Sequence, residues 1–169
     1  MAAKWNTMVN TLSLKTEEII KVEFKQDVWF PNVANSLFHS FKSQIIFPSN
    51  QYTSNVWSMA SMFFGAVKFN SDISNWDVSN VTDMSYMFAA MHRLTSLNLS
   101  NFDTSKVINM IHMFHAVTDL TTLDLSKFNT SNVTNMSYMF AEMHSLTTLN
   151  LSNFNTSQVT NMQYMFSDM

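Results

Sequence analysis

Residues 133–158, VTNMSYMFAEMHSLTTLNLSNFNTSQ, decide the fold, because nearly the same letters stand at 81–106 as VTDMSYMFAAMHRLTSLNLSNFDTSK. The two copies differ at six positions and are identical at all others. A Met-Phe pair marks the period, and its phenylalanine recurs at intervals of 25, 26, 26 and 26 residues. It stands at Phe63, Phe88, Phe114, Phe140 and Phe166. A unit this short cannot enclose its own apolar face, so the copies must stack and share a core.

Each unit has two halves with different hydrophobic periods. In the first half of 133–158, apolar residues recur at spacings of three and four, which is typical of a short amphipathic helix. These residues are Val133, Met136, Met139, Phe140 and Met143. In the second half, Leu149 and Leu151 alternate with polar residues, which is typical of a strand with one wet face. The sequence therefore predicts an α/β repeat: a solenoid with one short parallel strand and one short helix per 25–26-residue turn.

The 169 residues suffice for one domain with a substantial core. Residues 56–169 carry the clear repeats, of which the last is incomplete, and 31–55 resemble a degenerate first repeat. Residues 1–30 hold many of the charged side chains, so we expect them to form a polar N-terminal cap on the core. With one Gly and two Pro in the chain, the turns must be made by Asn, Asp and Ser.

The second half of each unit resembles the leucine-rich-repeat pattern LxxLxLxxN/CxL. The matching segments are LTSLNLSNF, TTLDLSKF and LTTLNLSNF, with Phe at the last core position. More specifically, FNSDISNWDVSNVTDMSYMF and LTTLDLSKFNTSNVTNMSYMF are similar to the BspA-like leucine-rich-repeat family of surface proteins and lipoproteins. The similarity covers about 56–169. Where that family often has Gly-Cys after Met-Phe, this chain has Ala90-Met91, Ala116-Val117 and Glu142-Met143.

Composition argues against several classes of partner. Charged residues make up 12% of the chain, the net charge is -3, and no basic run occurs, so a nucleic-acid partner is not expected. No apolar stretch is long enough for a membrane span or a signal peptide. There is no Cys, which leaves the redox compartment open. The residues therefore leave the localisation undetermined, and the family resemblance implies the cell surface.

The sequence predicts no enzyme, and it predicts no catalytic residue, metal site or cofactor. No known catalytic or phosphate-binding motif occurs. His112 and His115 have a spacing that could hold a metal on one helix. In the other units, however, their positions are Tyr and Ala, so neither position requires a ligand.

The candidate binding surface is a grid of polar residues on the predicted strand face, the usual recognition surface of a solenoid. Its columns are Ser71, Ser96, Thr122 and Thr148; Asp72, Asn98, Asp124 and Asn150; and Ser74, Ser100, Ser126 and Ser152. A polar grid with few charges suits a hydroxyl-rich ligand or a protein. The alternative is that the grid only keeps the surface soluble.

Two functions follow from these features. The first is a non-enzymatic protein-recognition or adhesion module, as the resemblance to BspA-like surface proteins implies. The alternative is a structural subunit packed into a larger assembly, for which an intracellular location is also open. The last unit stops after its predicted helix, so we expect a partner or further chain to cover its edge at Tyr164 and Phe166.

Overall fold

The computed structural model describes residues 21–169, in which the regular secondary structure is four short strands. β1 is Lys21–Glu23, β2 is Val28–Trp29, β3 is Gln44–Ile46 and β4 is Gln51–Tyr52. β1 pairs with β3 and β2 pairs with β4, both in parallel. The chain therefore stacks on itself before the clear repeats begin. The predicted cap at 1–30 lies within the described residues only from residue 21 onward.

A ladder of isolated parallel bridges joins the repeat units along the chain. Its members are Val33, Ser58, Asp83, Asn109, Asn135 and Asn161, each paired with the next. Successive members are one repeat apart, so each unit forms one layer of a stack, termed a rung below. Residues 31–55 join the same ladder through Val33.

The predicted helix in each repeat is wrong, because the described residues 21–169 contain none. In the segment that begins at Met84, alternate N–H groups donate to the next rung, as from Met84 to the Asn109 carbonyl (3.0 Å) and from Phe88 to the Met113 carbonyl (3.1 Å). Between them, short bonds such as Met87 N–H to the Met84 carbonyl (3.2 Å) close tight turns. The backbone groups are thus used in turns and between rungs, which leaves no helical ladder.

The predicted strand in the second half of each repeat is also wrong. Within the described chain, the pairing there is reduced to β1 with β3, β2 with β4, and one bridge between Thr122 and Thr148. The ladder that runs through every rung lies instead at the start of the unit, for example at Asp83 and Asn109. The predicted α/β leucine-rich-repeat fold is therefore replaced by a stack of turns held by parallel bridges.

Two positions in each rung have a positive φ, four residues apart. In one rung they are Tyr86 (57°) and Ala90 (56°). The first column is Ser36, Ser61, Tyr86, His112, Tyr138 and Tyr164, and the second is Ser40, Gly65, Ala90, Ala116, Glu142 and Asp168. A helix has no place for such residues, because the left-handed conformation reverses the direction of the chain. These positions bend the chain into its tight turns.

The core is built around a continuous stack of phenylalanine rings. Phe63, Phe88, Phe114 and Phe140 are fully buried, and neighbouring ring centroids lie 5.8 to 5.9 Å apart. Interplanar angles of 3° to 9° keep the rings parallel. Phe38 and Phe166 extend the stack at its two ends. Buried methionines at equivalent positions of successive rungs pack beside it: Met59, Met62, Met84, Met87, Met110, Met113, Met136 and Met139.

Asp and Asn side chains shape further corners of each rung, as the scarcity of Gly and Pro predicted, although the turns with positive φ also use Tyr, His and Ala. In an Asx-turn, the side-chain oxygen accepts a hydrogen bond from the backbone N–H two residues later. In one rung this occurs at Asp83, Asn98 and Asp103. The equivalent residues in other rungs are Asp72, Asp77, Asn109, Asp124, Asn129, Asn135, Asn150, Asn155 and Asn161.

Candidate functional site

The predicted polar grid contains a shallow depression of about 470 Å³ that spans three rungs. Its lining residues are Ser96, Leu97, Asn98, Thr122, Leu123, Asp124, Thr148 and Asn150. Half of the twelve predicted strand-face residues are thus brought together in one place. The side chains alternate along each segment: Thr122 and Asp124 are exposed, whereas Leu123 between them is buried. The depression therefore has a polar rim and an apolar floor.

The Asp and Asn residues of the depression are held in fixed orientations by their own turns. The Oδ1 atoms of Asn98, Asp124 and Asn150 accept hydrogen bonds from backbone N–H groups at 3.1, 2.9 and 3.0 Å. The side chains consequently lose little further freedom on binding. Their remaining polar atoms face the solvent on the exposed grid.

The predicted serine column has a structural role beside the depression. The backbone N–H groups of Ser100, Ser126 and Ser152 are the donors to the three Asx oxygens. Ser74 donates in the same way to Asp72, one rung before the depression. These four serines fix the orientation of the Asp and Asn column and do not line the depression.

Ser71 lies apart from the other predicted residues. Its hydroxyl donates to the Ile45 carbonyl of the preceding rung, and the residue is half-buried. Asp72 is exposed and adjoins it, outside the lining of the depression. The structure therefore concentrates the grid at its C-terminal rungs.

The backbone of the depression is largely without partners. Among the described residues, no backbone hydrogen bond joins 95–99 to 121–125. The next two segments are joined by the Thr147 N–H bond to the Thr121 carbonyl (3.2 Å) and by the bridge between Thr122 and Thr148, so the open backbone is mainly that of 95–99. Backbone N–H and C=O groups on this face are thus open to water or to a ligand.

Two carboxyl groups of the grid are kept ionised by local hydrogen bonds. The pKa of Asp124 is lowered, first by the backbone N–H of Ser126, then by its hydroxyl, and to a smaller extent by Lys127. The pKa of Asp72 is lowered by the corresponding groups of Ser74. A general acid at neutral pH needs the opposite shift, so neither carboxyl group is tuned for that role.

The predicted assembly edge exposes two aromatic rings on the last rung. Tyr164 is 62% exposed and Phe166 is 50% exposed. Their inner faces stack on Tyr138 and Phe140, at centroid distances of 4.9 and 5.9 Å. The outer faces are open to solvent.

Sequence reasoning missed a second stack of rings, on the outside of the turns. His112 lies between Tyr86 and Tyr138, at centroid distances of 4.5 and 4.4 Å and nearly parallel to both. His115 meets it edge-on and is 3.4 Å from a carboxylate oxygen of Glu142. The signal was the exchange of Tyr for His at one repeat position, which preserves a flat ring. No group of three or more potential metal ligands occurs among the described residues.

Sequence reasoning also missed an exposed aromatic pair near the first rungs. Trp29 and Tyr52 stack at 4.0 Å, with the Tyr52 hydroxyl 3.4 Å from Asp27. Later rungs place Asp77 and Asp103 at the corresponding positions, so the repeat itself does not require rings there. None of the described residues forms a helix long and apolar enough to cross a membrane.

Comparisons with known proteins give one family. A family model described as "Mycoplasma protein of unknown function, DUF285" matches residues 31–123 and 92–169. Together the two matches span most of the chain. Neither the curated proteins nor the solved structures contain a match.

Proposed function

Since the chain belongs to DUF285, a family of Mycoplasma proteins of unknown function, we propose its function from its own surface: a non-enzymatic recognition and adhesion module. The ligand binds to the polar grid at the depression formed by Ser96, Asn98, Thr122, Asp124, Thr148 and Asn150. The observation that supports this is the clustering of six predicted residues in one depression with unpaired backbone groups.

Two further features support a binding role. The depression is open and contains one ionisable side chain, Asp124, so it lacks the paired acid and base of a hydrolytic site. The repeats also resemble those of BspA-like surface proteins, whose role is adhesion. A protein partner was expected from that resemblance, and binding to a cell surface is the corresponding assay.

The test is binding of the fluorescently labelled protein to cultured epithelial cells. Thr122→Lys and Asn150→Lys place a long cation in the depression and should abolish binding. The matched control is Gln158→Lys, because the equivalent residue of an earlier rung is already Lys106. Equal binding by the wild type and both depression variants would contradict the proposal.

The alternative is a structural subunit of a larger assembly, for which the exposed rings of Tyr164 and Phe166 are the supporting observation. Sedimentation velocity at increasing concentration should then show association that Tyr164→Ser and Phe166→Ser abolish. Thr122→Lys should leave this association unchanged. A wild type that remains monomeric at every concentration would exclude self-assembly through this edge.

A further inference from the structure

The free ends of the Asx side chains alternate between donor and acceptor along the stack. Because Oδ1 is used in the turn, Asn98 and Asn150 present their Nδ2 amide donors. Asp124 stands between them and presents carboxylate acceptors. One rung before Asn98, Asp72 is again an acceptor. The series is acceptor, donor, acceptor, donor, with one member per rung.

The other groups of the depression can both donate and accept. Ser96, Thr122 and Thr148 bring hydroxyls, and the neighbouring backbone brings unpaired N–H and C=O groups. Leu97 and Leu123 form a small apolar floor. Neither Lys nor Arg lines the depression, and neither does Trp or Tyr.

This lining discriminates among ligand classes. A cationic ligand can only donate, so it leaves the Nδ2 donors of Asn98 and Asn150 unpaired. An anionic ligand meets the ionised carboxylate of Asp124. Protein interfaces are anchored mainly by Trp, Tyr and Arg, which the depression lacks. A hydroxyl group satisfies both kinds of position, because it accepts from an amide and donates to a carboxylate.

We propose that the depression binds a linear, uncharged glycan that lies along the stack, with successive hydroxyls paired to Asn98, Asp124 and Asn150. This inference rests on the proposed recognition function and names its ligand class. An alternating donor and acceptor series over successive rungs matches a chain of sugar units better than it matches a single small molecule. A volume of about 470 Å³ across three rungs accommodates a short stretch of such a chain.

The experiment uses exchanges between Asp and Asn, which preserve the turns. Asp124→Asn and Asn98→Asp each retain an Oδ1 acceptor, as the chain itself shows by using both residues in this column. Each exchange reverses one member of the series. Titration calorimetry with cellohexaose, chitohexaose and maltohexaose should show binding of at least one hexasaccharide. Asp124→Asn replaces a charge-assisted hydrogen bond with a neutral one, and Asn98→Asp places a third carboxylate between Asp72 and Asp124 to compete for hydroxyl protons. Each exchange should therefore weaken binding by about tenfold.

The matched control is Asp103→Asn. Asp103 makes an Asx-turn outside the depression, and its equivalents in later rungs are Asn129 and Asn155. Its affinity for the hexasaccharide and its melting temperature should equal those of the wild type. Unchanged affinity in both Asp124→Asn and Asn98→Asp would overturn the assignment of the series.

A second arm separates the ligand class from the recognition function. Binding to epithelial cells that is lost after periodate oxidation of their surface glycans supports the glycan. A different result is that no hexasaccharide binds and that Thr122-dependent binding to cells persists after periodate treatment. The ligand is then a protein, so the glycan inference is wrong and the recognition function still holds. If neither cells nor hexasaccharides bind, both the inference and the proposed function are wrong.

Discussion

At Gly65 the chain adopts a φ of +64°, and Gly65 is the sole glycine in the sequence. It occupies the repeat position at which other rungs have Ala90, Ala116 and Glu142, also with positive φ. With Ser40 and Asp168, five other rungs therefore accept the strain of an L side chain in the left-handed region, which stacking on neighbouring rungs must offset.

Exchanging residues in this column should change stability in opposite directions. Gly65→Ala should lower the free energy of unfolding by about 1 kcal/mol through backbone strain. The added Cβ meets its nearest neighbour, Ser40 Oγ, at 3.6 Å, which is ordinary contact. Ala116→Gly should raise the unfolding free energy by up to about 1 kcal/mol. Urea denaturation measures both, and destabilisation by Ala116→Gly would contradict the strain account.

Thr53 carries a buried hydroxyl that has no hydrogen-bond partner. Thr104, in the same column, both donates to and accepts from the backbone of Asn129, at 3.0 and 2.8 Å. Thr53→Val should therefore raise the free energy of unfolding by about 1 kcal/mol, as Val78 already fills this column in the next rung. Thr104→Val should lower it by about 1 to 3 kcal/mol. Urea denaturation measures the free energy of unfolding of both variants, and an equal decrease in the two would contradict this prediction.

His112 should make stability depend on pH. Its Nδ1 is buried without a partner, and its pKa is lowered by burial and then by His115, which itself lies beside Glu142. A folded-state pKa below the unfolded value favours the neutral form, so stability is full above the unfolded pKa of about 6.5 and falls as pH decreases through it.

His112→Tyr should reduce this loss, since Tyr86 and Tyr138 occupy the same position in adjacent rungs. Melting temperatures measured between about pH 8 and pH 5 should fall more steeply for the wild type than for the variant. His115 and Glu142 are unchanged in both proteins and so serve as an internal control. Parallel pH profiles would show that His112 is not responsible.

At the scale of the elements, the hydrophobic pattern identified the inward residues without identifying the backbone. Met136, Met139, Phe140 and Met143 are buried as the spacing of three and four predicted. A helix places residues three and four apart on one side through its 3.6-residue turn. The rung places the same residues on one side through tight turns that contain two positive φ values. Periodicity reports which side chains point inward, and it is silent on φ. Gly65, directly after two phenylalanines, was the local signal for a turn.

The exposure of the predicted grid residues could be derived from the sequence, but the backbone pairing around them could not. The alternation of polar and apolar residues correctly predicted that Thr122 and Asp124 are exposed and that Leu123 is buried. The missing backbone bonds between 95–99 and 121–125 depend on where the rungs pair, and that is a long-range property. The Asx role of Asn98 could have been read from the Asn-x-Ser spacing.

The Asx-turns should accept Asp and Asn equally and reject Ala. Asn135 Oδ1 accepts hydrogen bonds from the backbone N–H and the hydroxyl of Ser137, at 2.9 and 2.8 Å. Asn135→Ala should lower the free energy of unfolding by about 1 kcal/mol or more. Asn135→Asp should have little effect, because Asp83 makes the same turn in another rung. Chemical denaturation measures both free energies of unfolding. Equal decreases in the two variants would show that the Asx-turn does not stabilise the fold.

At the scale of the whole molecule, the rungs are held together much more firmly on one side than on the other. Hydrogen exchange should therefore be slow at Met84, Tyr86 and Phe88, whose N–H groups donate to the next rung. It should be fast at Ser96 and Leu97, whose N–H groups have no backbone acceptor. Amide exchange measured by NMR resolves the two sides, and uniform protection around the rung would contradict the structure.

Because Asp and Asn form the same turn, the surface charge can change while the fold stays the same. Of the twelve Asx-turn positions named above within residues 21–169, five are Asp and seven are Asn, and both residues supply the same Oδ1 acceptor. Changing all five Asp to Asn would bring the net charge from -3 to +2, and changing all seven Asn to Asp would bring it to -10. Exchanges between these two residues can thus change the surface potential over a wide range while the backbone stays the same. Descendants of one such gene can diversify in what they attract while inheriting a single architecture.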